Sequence, residues 1–423
     1  MDSLIIDGPA TLSGRVKVSG SKNTALPLLF ASILFDQEVH FENIPRLWDI
    51  ETTLKLLGSM GASSYWDKEK GEVTVNPTIR ERVAPYQWVK QMRAGILALG
   101  PLLARYGEAK VSLPGGCAIG ARPVNFHIEA LQKMGAAFEV HEGYIYAKVP
   151  RVMRGAEIDF PVVSVTGTEN VLYVAATAEG TTIIKNAARE PEVTFLGETL
   201  ISWGAQIEGL GTSTITVKGV DKLTLTERPV RIPADRIECG TWIAIAAATR
   251  SELELDEVDT QYLTSVIEVF QQMGLKIEAG SRARSIRVTP NEKYRPVDVT
   301  TEPYPGFPTD MQAQLMAALC MADGTSRIKE TIFENRFMHV AELRRLGARI
   351  ETQGNEALVK GPCQLEGAPI MATDLRASAS LVVAALASRG QSCISRIYHL
   401  DRGYQRMDQK LLAVGAKVRR VEE

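Results

Sequence analysis

The sequence has few aromatic residues, almost no net charge and no long apolar run. Phe, Trp and Tyr make up 6% of the 423 residues, so the core has to consist mainly of Ala, Val, Leu and Ile. The formal net charge of −2 provides no overall field that would select nucleic acid. No apolar run reaches the roughly 18 residues that a membrane span needs. We therefore expect a globular protein that acts on small molecules, with no nucleic-acid or membrane partner.

The cysteine and histidine patterns give no sign of a metal or a cofactor. The five cysteines are odd in number, widely separated and without CxxC spacing, which indicates neither a disulfide framework nor a zinc site. The histidines lack metal-ligand spacing, and the GxGxxG and GxxxxGK[ST] motifs are absent. We expect no metal, no cofactor and a reducing cytoplasm as the compartment.

One phrase recurs six times, at intervals of roughly 70 residues. A helical stretch ends in Gly and passes directly into an alternating segment, as in EALQKMGAAFEV. Each glycine fits the left-handed residue just past a helix C-terminus, and the alternation fits a half-buried strand. The six glycines are Gly61, Gly135, Gly204, Gly274, Gly347 and Gly415.

A second recurring phrase predicts six buried helices. A short β-like segment and a polar turn precede a helix that is apolar nearly all round, as in IMATDLRASASLVVAALAS. The repeat therefore reads β, buried helix, β, outer helix, β, β. A single core stops growing at roughly 250 to 300 residues, so we assign three repeats to each of two domains. The predicted domains are residues 22–233, and residues 1–21 with 234–423.

The turns that open the buried helices carry many candidate binding residues. Helix N-termini attract anions, so charged side chains at these turns indicate an anionic substrate. Each aspartate there can equally be a plain helix N-cap, Asp310 most readily, and the arginines can be ordinary surface residues. The candidates are Lys22, Asn23, Arg93 and Ser164 in the first half and Asp235, Asp310, Asp374 and Arg376 in the second.

An arginine recurs in the loops before the outer helices, at positions 122, 189, 336 and 402. A guanidinium suits bidentate contact with phosphate or carboxylate, so these loops and Lys22 call for such a substrate. The glycine-rich loop at 112–123 is expected to be mobile, and it carries Cys117 beside Arg122. Loop N–H groups and the guanidinium are expected to lower the pKa of this thiol. The thiol can then donate a proton, and the thiolate can attack an electrophile. The alternative is an inert core cysteine, which is our interpretation of the other four.

Segments spread over the whole chain resemble the enolpyruvyl transferase family. They are SGSKNTALP, SLPGGCAIGARP, NAAREPE, FPTDMQAQ, ETIFENRFMHV, DLRASASLV and HLDRGY. The resemblance implies an α/β fold of two inside-out barrels, each with three βαβαββ repeats, and an active site in the cleft between them. It also implies transfer of the enolpyruvyl group of phosphoenolpyruvate to the 3-hydroxyl of UDP-N-acetylglucosamine, through a tetrahedral intermediate and with release of phosphate. That reaction is the first committed step of peptidoglycan precursor synthesis.

The resemblance also implies roles for individual residues. The family's acid for C3 of phosphoenolpyruvate, which is the target of the antibiotic fosfomycin, falls on Cys117, and its proposed base falls on Asp310. Lys22, Arg122 and Arg402 match the grip on phosphoenolpyruvate. The matches to sugar-nucleotide contacts and other polar site positions are Asn23, Arg93, Arg122, Pro123, Val124, Asn125, Phe126, Val162, Val163, Ser164, Val165, Glu190, Asp235, Ile332, Arg336, Asp374 and Arg376.

Three positions depart from the family pattern. Asn125 stands where many members have Asp, Val162 where some have Lys, and Leu97 where some have Trp. These changes put affinity and inhibitor profile in question before the chemistry. Two alternatives remain open: 5-enolpyruvylshikimate-3-phosphate synthase, which the PGGC loop and ENRFMH disfavour, and a non-catalytic paralogue that binds the sugar nucleotide.

Overall fold

The computed structural model describes residues 2–113 and 124–422, so Cys117, Arg122 and Pro123 lie outside the described residues. The described chain forms two compact units. The terminal unit contains residues 2–19 and 234–422, and the central unit contains residues 20–113 and 124–233. Each unit has its own hydrophobic core.

The helices of the described chain include segments that are buried nearly all round and segments that are only partly buried. They are α1 (Lys22–Ala31), α2 (Trp48–Ser59), α3 (Tyr86–Val89), α4 (Leu99–Tyr106), α5 (Asn125–Lys133), α6 (Val165–Ala175), α7 (Pro191–Ser202), α8 (Arg236–Thr249), α9 (Thr264–Met273), α10 (Gln312–Leu319), α11 (His339–Arg345), α12 (Leu375–Ala387), α13 (Tyr398–Asp401) and α14 (Met407–Ala413). Short 3-10 helices occur at Ser32–Leu34, Arg93–Ala98, Thr260–Tyr262 and Thr309–Met311.

The strands of the described chain are short, from two to six residues. They are β1 (Ser3–Gly8), β2 (Ser13–Lys17), β3 (Val39–Glu42), β4 (Ser63–Asp67), β5 (Glu72–Asn76), β6 (Val83–Ala84), β7 (Glu108–Ser112), β8 (Ala137–His141), β9 (Tyr144–Lys148), β10 (Glu157–Asp159), β11 (Thr181–Lys185), β12 (Gln206–Glu208), β13 (Thr214–Lys218), β14 (Val230–Arg231), β15 (Glu252–Asp256), β16 (Lys276–Ala279), β17 (Ser285–Thr289), β18 (Val299–Thr300), β19 (Gly324–Lys329), β20 (Ile350–Gln353), β21 (Glu356–Gly361), β22 (Pro369–Met371), β23 (Gly390–Ser395) and β24 (Lys417–Val421).

Six four-stranded sheets with one shared pattern account for these strands. In each sheet an edge strand runs parallel to the next strand, and the other two pairings are antiparallel. The central unit contains β14-β3-β5-β4, β6-β7-β9-β8 and β10-β11-β13-β12. The terminal unit contains β2-β15-β17-β16, β18-β19-β21-β20 and β22-β23-β1-β24. The six sheets correspond to the six βαβαββ repeats expected from the sequence.

The long apolar helices form the cores, as their composition predicts. Eight of the ten residues of α1 are buried, and twelve of the fourteen residues of α8. In the terminal unit α8, α10 and α12 pack against one another. In the central unit α4 packs against α6, and the Tyr173 hydroxyl of α6 donates to Pro27 O of α1 at 2.8 Å. No helix of the described chain is both long and apolar enough to cross a membrane.

The glycine that ends each charged helix has positive φ in all six repeats. The six values lie between 94° at Gly347 and 119° at Gly274. A side chain is strained in this backbone conformation, so the recurring glycine has a local steric cause. The sequence prediction for these six helix ends is confirmed.

Three strands pair with strands that lie far away in the sequence. β1 lies between β23 and β24, where Leu4 faces Ile394 on one side and Arg420 on the other. β2, which precedes α1 in the chain, pairs in parallel with β15 of the terminal unit. β14, which precedes α8, pairs in parallel with β3 of the central unit. The N-terminal residues are therefore a structural part of the terminal unit.

Candidate active site

Asp310 lies between two arginines in the terminal unit. It sits in the 3-10 turn Thr309–Met311 that leads into α10. The Arg336 Nη2 atom donates to Asp310 Oδ1 at 2.7 Å, and the Arg376 Nη2 and Nε atoms donate to Oδ2 at 2.7 and 3.1 Å. The side chains of Arg336 and Arg376 are 5% and 6% exposed, whereas that of Asp310 is 29% exposed. The fold thus brings together three candidates from two successive repeats.

These contacts fix the charge of the carboxylate. Burial by itself would raise the pKa of Asp310, but the Arg376 and Arg336 guanidiniums hold it well below its usual value. Asp310 is therefore ionised and can accept a hydrogen bond from a ligand at its exposed edge. Arg376 also donates to the Tyr404 hydroxyl at 3.2 Å, which fixes the guanidinium from the side of the core.

The expectation that Asp310 is the aspartate most readily explained as a helix cap is wrong. Asp235 and Asp374 are the N-caps: each accepts from two backbone N–H groups at the start of α8 and α12, respectively. Asp310 makes no such bond at the start of its turn. The alternative reading of Arg376 as a surface residue is also wrong, because this residue is 5% exposed.

The loop that carries Arg336 is organised by Glu330, which the sequence analysis did not select. Glu330 Oε1 accepts from Ile332 N at 2.8 Å and from Phe333 N at 3.2 Å. Glu330 Oε2 accepts from the Thr309 hydroxyl at 2.8 Å, and Thr309 in turn accepts from Arg336 Nη1 at 3.1 Å. Glu330 therefore couples the positions of the candidates Ile332 and Arg336 to the turn of Asp310. In the sequence, Glu330 is marked only by its place in ETIFENRF, the segment that also contains the candidates Ile332 and Arg336.

Lys22 and Asp49 form a nearly buried ion pair in the central unit. Lys22 is the first residue of α1, after the N-cap Ser21, and Asp49 lies in the first turn of α2. Lys22 Nζ lies 3.1 Å from Asp49 Oδ2, and the side chains are 12% and 5% exposed. The pair holds the ammonium group in one orientation. Asp49 was not selected from the sequence.

Three glutamates form a second group of ionisable side chains in the central unit. Glu190 is the N-cap residue of α7, Glu192 lies in its first turn, and Glu169 is buried in α6. Burial raises the pKa of Glu169 well above its usual value, and the Glu192 and Glu190 carboxylates add to the rise. Glu169 therefore takes up a proton more readily than an exposed glutamate does.

Residues 162–165 lead into α6 and combine exposed and packed positions. Val162 is 60% exposed, whereas Val163 and Val165 pack against the central core. The Ser164 side chain caps α6 by accepting from Gly167 N at 3.2 Å. Val162 projects toward solvent. A valine here, in place of the lysine that the resemblance suggests for some family members, therefore leaves the packing of this segment unaffected.

The remaining candidates are spread over several helix ends. Val124 and Phe126 pack against the central core at the start of α5, and the exposed Asn125 donates to Glu129 Oε1 at 3.2 Å. The partly buried Asn23 and Arg93 begin helical segments of the central unit, and the partly buried Arg402 ends α13 in the terminal unit. Cys117, Arg122 and Pro123 fall outside the described residues. Among the described residues, no cluster of three or more His, Cys, Asp or Glu side chains is suited to hold a metal ion.

Comparisons with known proteins agree over the whole length. The family described as EPSP synthase (3-phosphoshikimate 1-carboxyvinyltransferase) matches residues 6–411. The chain is 53% identical, over all of both chains, to a UDP-N-acetylglucosamine 1-carboxyvinyltransferase of Nitratidesulfovibrio vulgaris Hildenborough. It is 49% identical to the protein of that name from Hydrogenovibrio crunogenus, over 99% of this chain and all of that one.

Solved structures show the same fold. The enolpyruvyl transferase NikO from Streptomyces tendae superposes with a TM-score of 0.89 at 26% identity, with 99% of each chain covered. The EPSP synthase from Acinetobacter baumannii superposes over all of both chains with a TM-score of 0.78 at 19% identity, which supports the fold alone.

Proposed function

The chain belongs to the EPSP synthase and enolpyruvyl transferase family, and from that premise we propose that it transfers the enolpyruvyl group of phosphoenolpyruvate to the 3-hydroxyl of UDP-N-acetylglucosamine. Phosphate is the second product. The observation that carries the proposal is the identity of 53% over 423 residues to a curated UDP-N-acetylglucosamine 1-carboxyvinyltransferase. The reaction belongs to peptidoglycan precursor synthesis, and its proposed place is the cytoplasm.

The proposed reaction has an addition step and an elimination step. In the addition, the sugar oxygen forms a bond to C2 of phosphoenolpyruvate while C3 gains a proton, which gives a tetrahedral intermediate. In the elimination, C3 loses a proton, the double bond returns and the C2–O bond to phosphate breaks. An acid at C3 and an acceptor for the hydroxyl proton are the two groups that the chain has to provide.

We assign the acid to Cys117 and the proton acceptor to Asp310. The double ion pair of Asp310 with Arg336 and Arg376 keeps this acceptor ionised, but it also makes the carboxylate a weak base. The hydroxyl is therefore expected to give up its proton only as its oxygen bonds to C2, when its acidity rises. Until then Asp310 orients the hydroxyl as a hydrogen-bond acceptor.

Lys22, Arg122 and Arg402 are proposed to bind the phosphate and carboxylate groups of phosphoenolpyruvate. The Asp49 contact supports this role for Lys22, because it holds the ammonium group in one orientation at the start of α1. The other assigned residues, from Asn23 to Arg376, are proposed to bind the sugar nucleotide.

Phosphate release from the two substrates tests the proposal. The purified protein is incubated with phosphoenolpyruvate and UDP-N-acetylglucosamine, and in a parallel sample shikimate 3-phosphate replaces the sugar nucleotide. We expect phosphate release only in the sample that contains the sugar nucleotide. Cys117→Ala is expected to lower kcat by about 100-fold or more, whereas Cys117→Asp keeps part of it because a carboxyl can also supply the proton.

Two results would contradict the proposal. Release of phosphate only with shikimate 3-phosphate would move the chain to the other activity of the family. Binding of the sugar nucleotide without any turnover, at several pH values, would identify a non-catalytic paralogue.

A further inference from the structure

The cysteines other than Cys117 do not all belong to the core. Cys239 and Cys320 are buried as expected, but Cys363 and Cys393 are partly exposed. The interpretation of all four as core residues is therefore wrong for Cys363 and Cys393. Cys363 follows β21 by two residues, and a second cysteine lies beside it.

Cys320 and Cys363 are direct neighbours in the terminal unit. Cys320 is the residue that follows α10, and its carbonyl oxygen accepts from Cys363 N at 2.7 Å. This backbone bond holds the two residues side by side, and a disulfide needs α-carbons about 4.4 to 6.8 Å apart. The Cys320 thiol donates to Met316 O at 3.5 Å, and the two cysteine side chains lie close enough for each to shift the pKa of the other. A bond between the two sulfurs thus requires little movement of the backbone.

The surroundings distinguish the two sulfurs. The neighbouring Cys320 side chain lowers the pKa of Cys363, and burial opposes this effect. Arg349 lowers the pKa further through its backbone N–H, 3.4 Å from the sulfur, and through its charge. The Lys360 carbonyl oxygen, 3.3 Å from the same sulfur, favours the thiol form. The neighbouring Cys363 side chain and burial both raise the pKa of Cys320. Cys363 is therefore the nucleophile of the pair, and Cys320 remains a thiol.

We propose that Cys363 and Cys320 are a site of reversible oxidation, at which a peroxide converts the two thiols into an intramolecular disulfide. Cys363 reacts first because it is the more accessible and more acidic sulfur. Cys320 resolves the product because it already lies against the Cys363 sulfur.

The two steps balance with the peroxide as oxidant. The Cys363 thiolate attacks one peroxide oxygen, an S–O bond forms, the O–O bond breaks and hydroxide leaves, which takes up the proton that Cys363 released. The Cys320 sulfur then attacks the Cys363 sulfenic acid, an S–S bond forms and water leaves with the Cys320 proton. One peroxide is reduced to two waters and two thiols are oxidised. The disulfide keeps Cys363 from irreversible oxidation, and a dithiol reductant reverses it.

A peptide map without reduction tests the site. The Cys117→Ala protein is used so that the thiol proposed for catalysis does not consume the oxidant. It is treated with hydrogen peroxide, alkylated, and digested with trypsin. We expect peptide 294–327, which contains Cys320, joined to peptide 361–376, which contains Cys363, with the loss of two hydrogens. Dithiothreitol is expected to separate the two peptides.

Cys393 is the control within the same digest. It is partly buried like Cys363. It lies in β23, and its partners on the two neighbouring strands are Ile5 of β1 and Pro369 of β22, neither of which is a cysteine. We expect Cys363 to lose its free thiol at least about tenfold faster than Cys393. Equal rates for the two residues, or no cross-linked peptide while Cys363 is oxidised, would overturn the proposal.

Two variants separate the roles within the pair. In Cys320→Ser the sulfenic acid of Cys363 has no thiol to resolve it, so dimedone is expected to label Cys363. In Cys363→Ser the buried Cys320 is expected to keep its free thiol under the same treatment. Dimedone labelling of Cys320 in the latter variant would reverse the assignment and contradict the proposal.

Discussion

The three aspartates at the starts of the buried helices of the terminal unit show how one residue type takes different roles. Asp235 and Asp374 each satisfy two backbone N–H groups at a helix start. Asp310 lies one turn before α10 and instead neutralises two buried guanidiniums. Because an uncompensated buried charge is costly, the three side chains around Asp310 depend on one another for their stability.

Asp310→Asn is expected to reduce both stability and activity. The amide leaves Arg336 and Arg376 without a counter-charge, which should lower the free energy of unfolding by about 2 to 4 kcal/mol. It also removes the proposed proton acceptor, so kcat should fall by about 100-fold or more. Urea unfolding and phosphate release measure the two effects. Asp323→Asn, at an exposed position of the same unit, is the control and should stay within about 0.5 kcal/mol. An unfolding free energy equal to that of the control would show that the ion pairs contribute nothing.

Asp374→Asn separates a cap from a binding residue. Asp374 Oδ1 accepts from Arg376 N at 2.9 Å and from Ala377 N at 3.0 Å, and an asparagine oxygen can accept the same bonds. Stability should therefore change by less than about 0.5 kcal/mol, whereas Asp374→Ala should cost about 1 kcal/mol. Because the charge is proposed to act on the sugar nucleotide, kcat/KM for Asp374→Asn should fall about tenfold, equivalent to roughly 1.4 kcal/mol. Unchanged kcat/KM would show that Asp374 acts only as a helix N-cap.

At the scale of the elements, the boundary between the charged helix and the next strand depends on a single residue. Gly347 follows α11 with φ of 94°, and Gly415 follows α14 with φ of 96°. Both positions strain a side chain, but their surroundings differ. A β-carbon at Gly347 would lie 2.9 Å from Gln364 O, whereas the nearest atom at Gly415 is Thr11 O at 3.8 Å.

Gly347→Ala should therefore destabilise the protein more than Gly415→Ala. Backbone strain alone should lower the free energy of unfolding by about 1 to 2 kcal/mol in either variant. The close approach to Gln364 O should add about 1 to 3 kcal/mol in Gly347→Ala, because the backbone has to move. The midpoints of urea unfolding for the two variants provide the comparison. Equal midpoints would mean that this helix end relaxes without cost.

The pairing of whole elements depends on the chain as a whole. Leu4 and Ile6 of β1 are 1% and 0% exposed in the terminal core, although the rest of their sheet comes from residues beyond 368. The apolar pattern of β1 predicts a buried strand, but no local signal identifies its neighbours. Only the fold places this strand between β23 and β24.

For the whole molecule, two buried histidines predict the response of stability to acid. Burial lowers the pKa of His127, in the central unit, to about 4, and it does the same for His339 in the terminal unit. Between pH 6.5 and 4 each of these two histidines therefore binds more protons in the unfolded chain than in the folded chain. The raised pKa of Glu169 opposes this above pH 4.5, but the contribution of the histidines makes stability fall as the pH falls. Asp310 acts in the same direction, but only below pH 4, because its folded pKa is also depressed.

Thermal unfolding across this pH window measures the effect. Each buried histidine should remove about 2 to 3 kcal/mol of stability between pH 6.5 and 4. His127→Gln should flatten the pH dependence of Tm, even though loss of the contact with Asn170 lowers Tm at neutral pH. His40→Gln, at an exposed position, should keep the slope of the parent. A His127→Gln protein with the parent's slope would contradict the assignment.

The candidate site could be predicted from the sequence only in part. The residues at helix starts were selected because helix N-termini attract anions, and Arg336 was selected as a recurring loop arginine. The structure brings Asp310 and Arg376 of two such starts into contact with Arg336. The supporting residues Asp49 and Glu330 were not selected. Their carboxylates act on other side chains and loop N–H groups, and neither contact follows from local spacing.

The sequence by itself determined the six repeats, the apolar helices and the left-handed glycines, because each depends on residues only a few positions apart. The tertiary structure alone decided which strands β1, β2 and β14 join, and which arginines, 26 and 66 residues away, hold Asp310. It also decided that Cys320 and Cys363 lie side by side. Such contacts depend on the packing of distant segments around a shared core, which local sequence patterns do not encode.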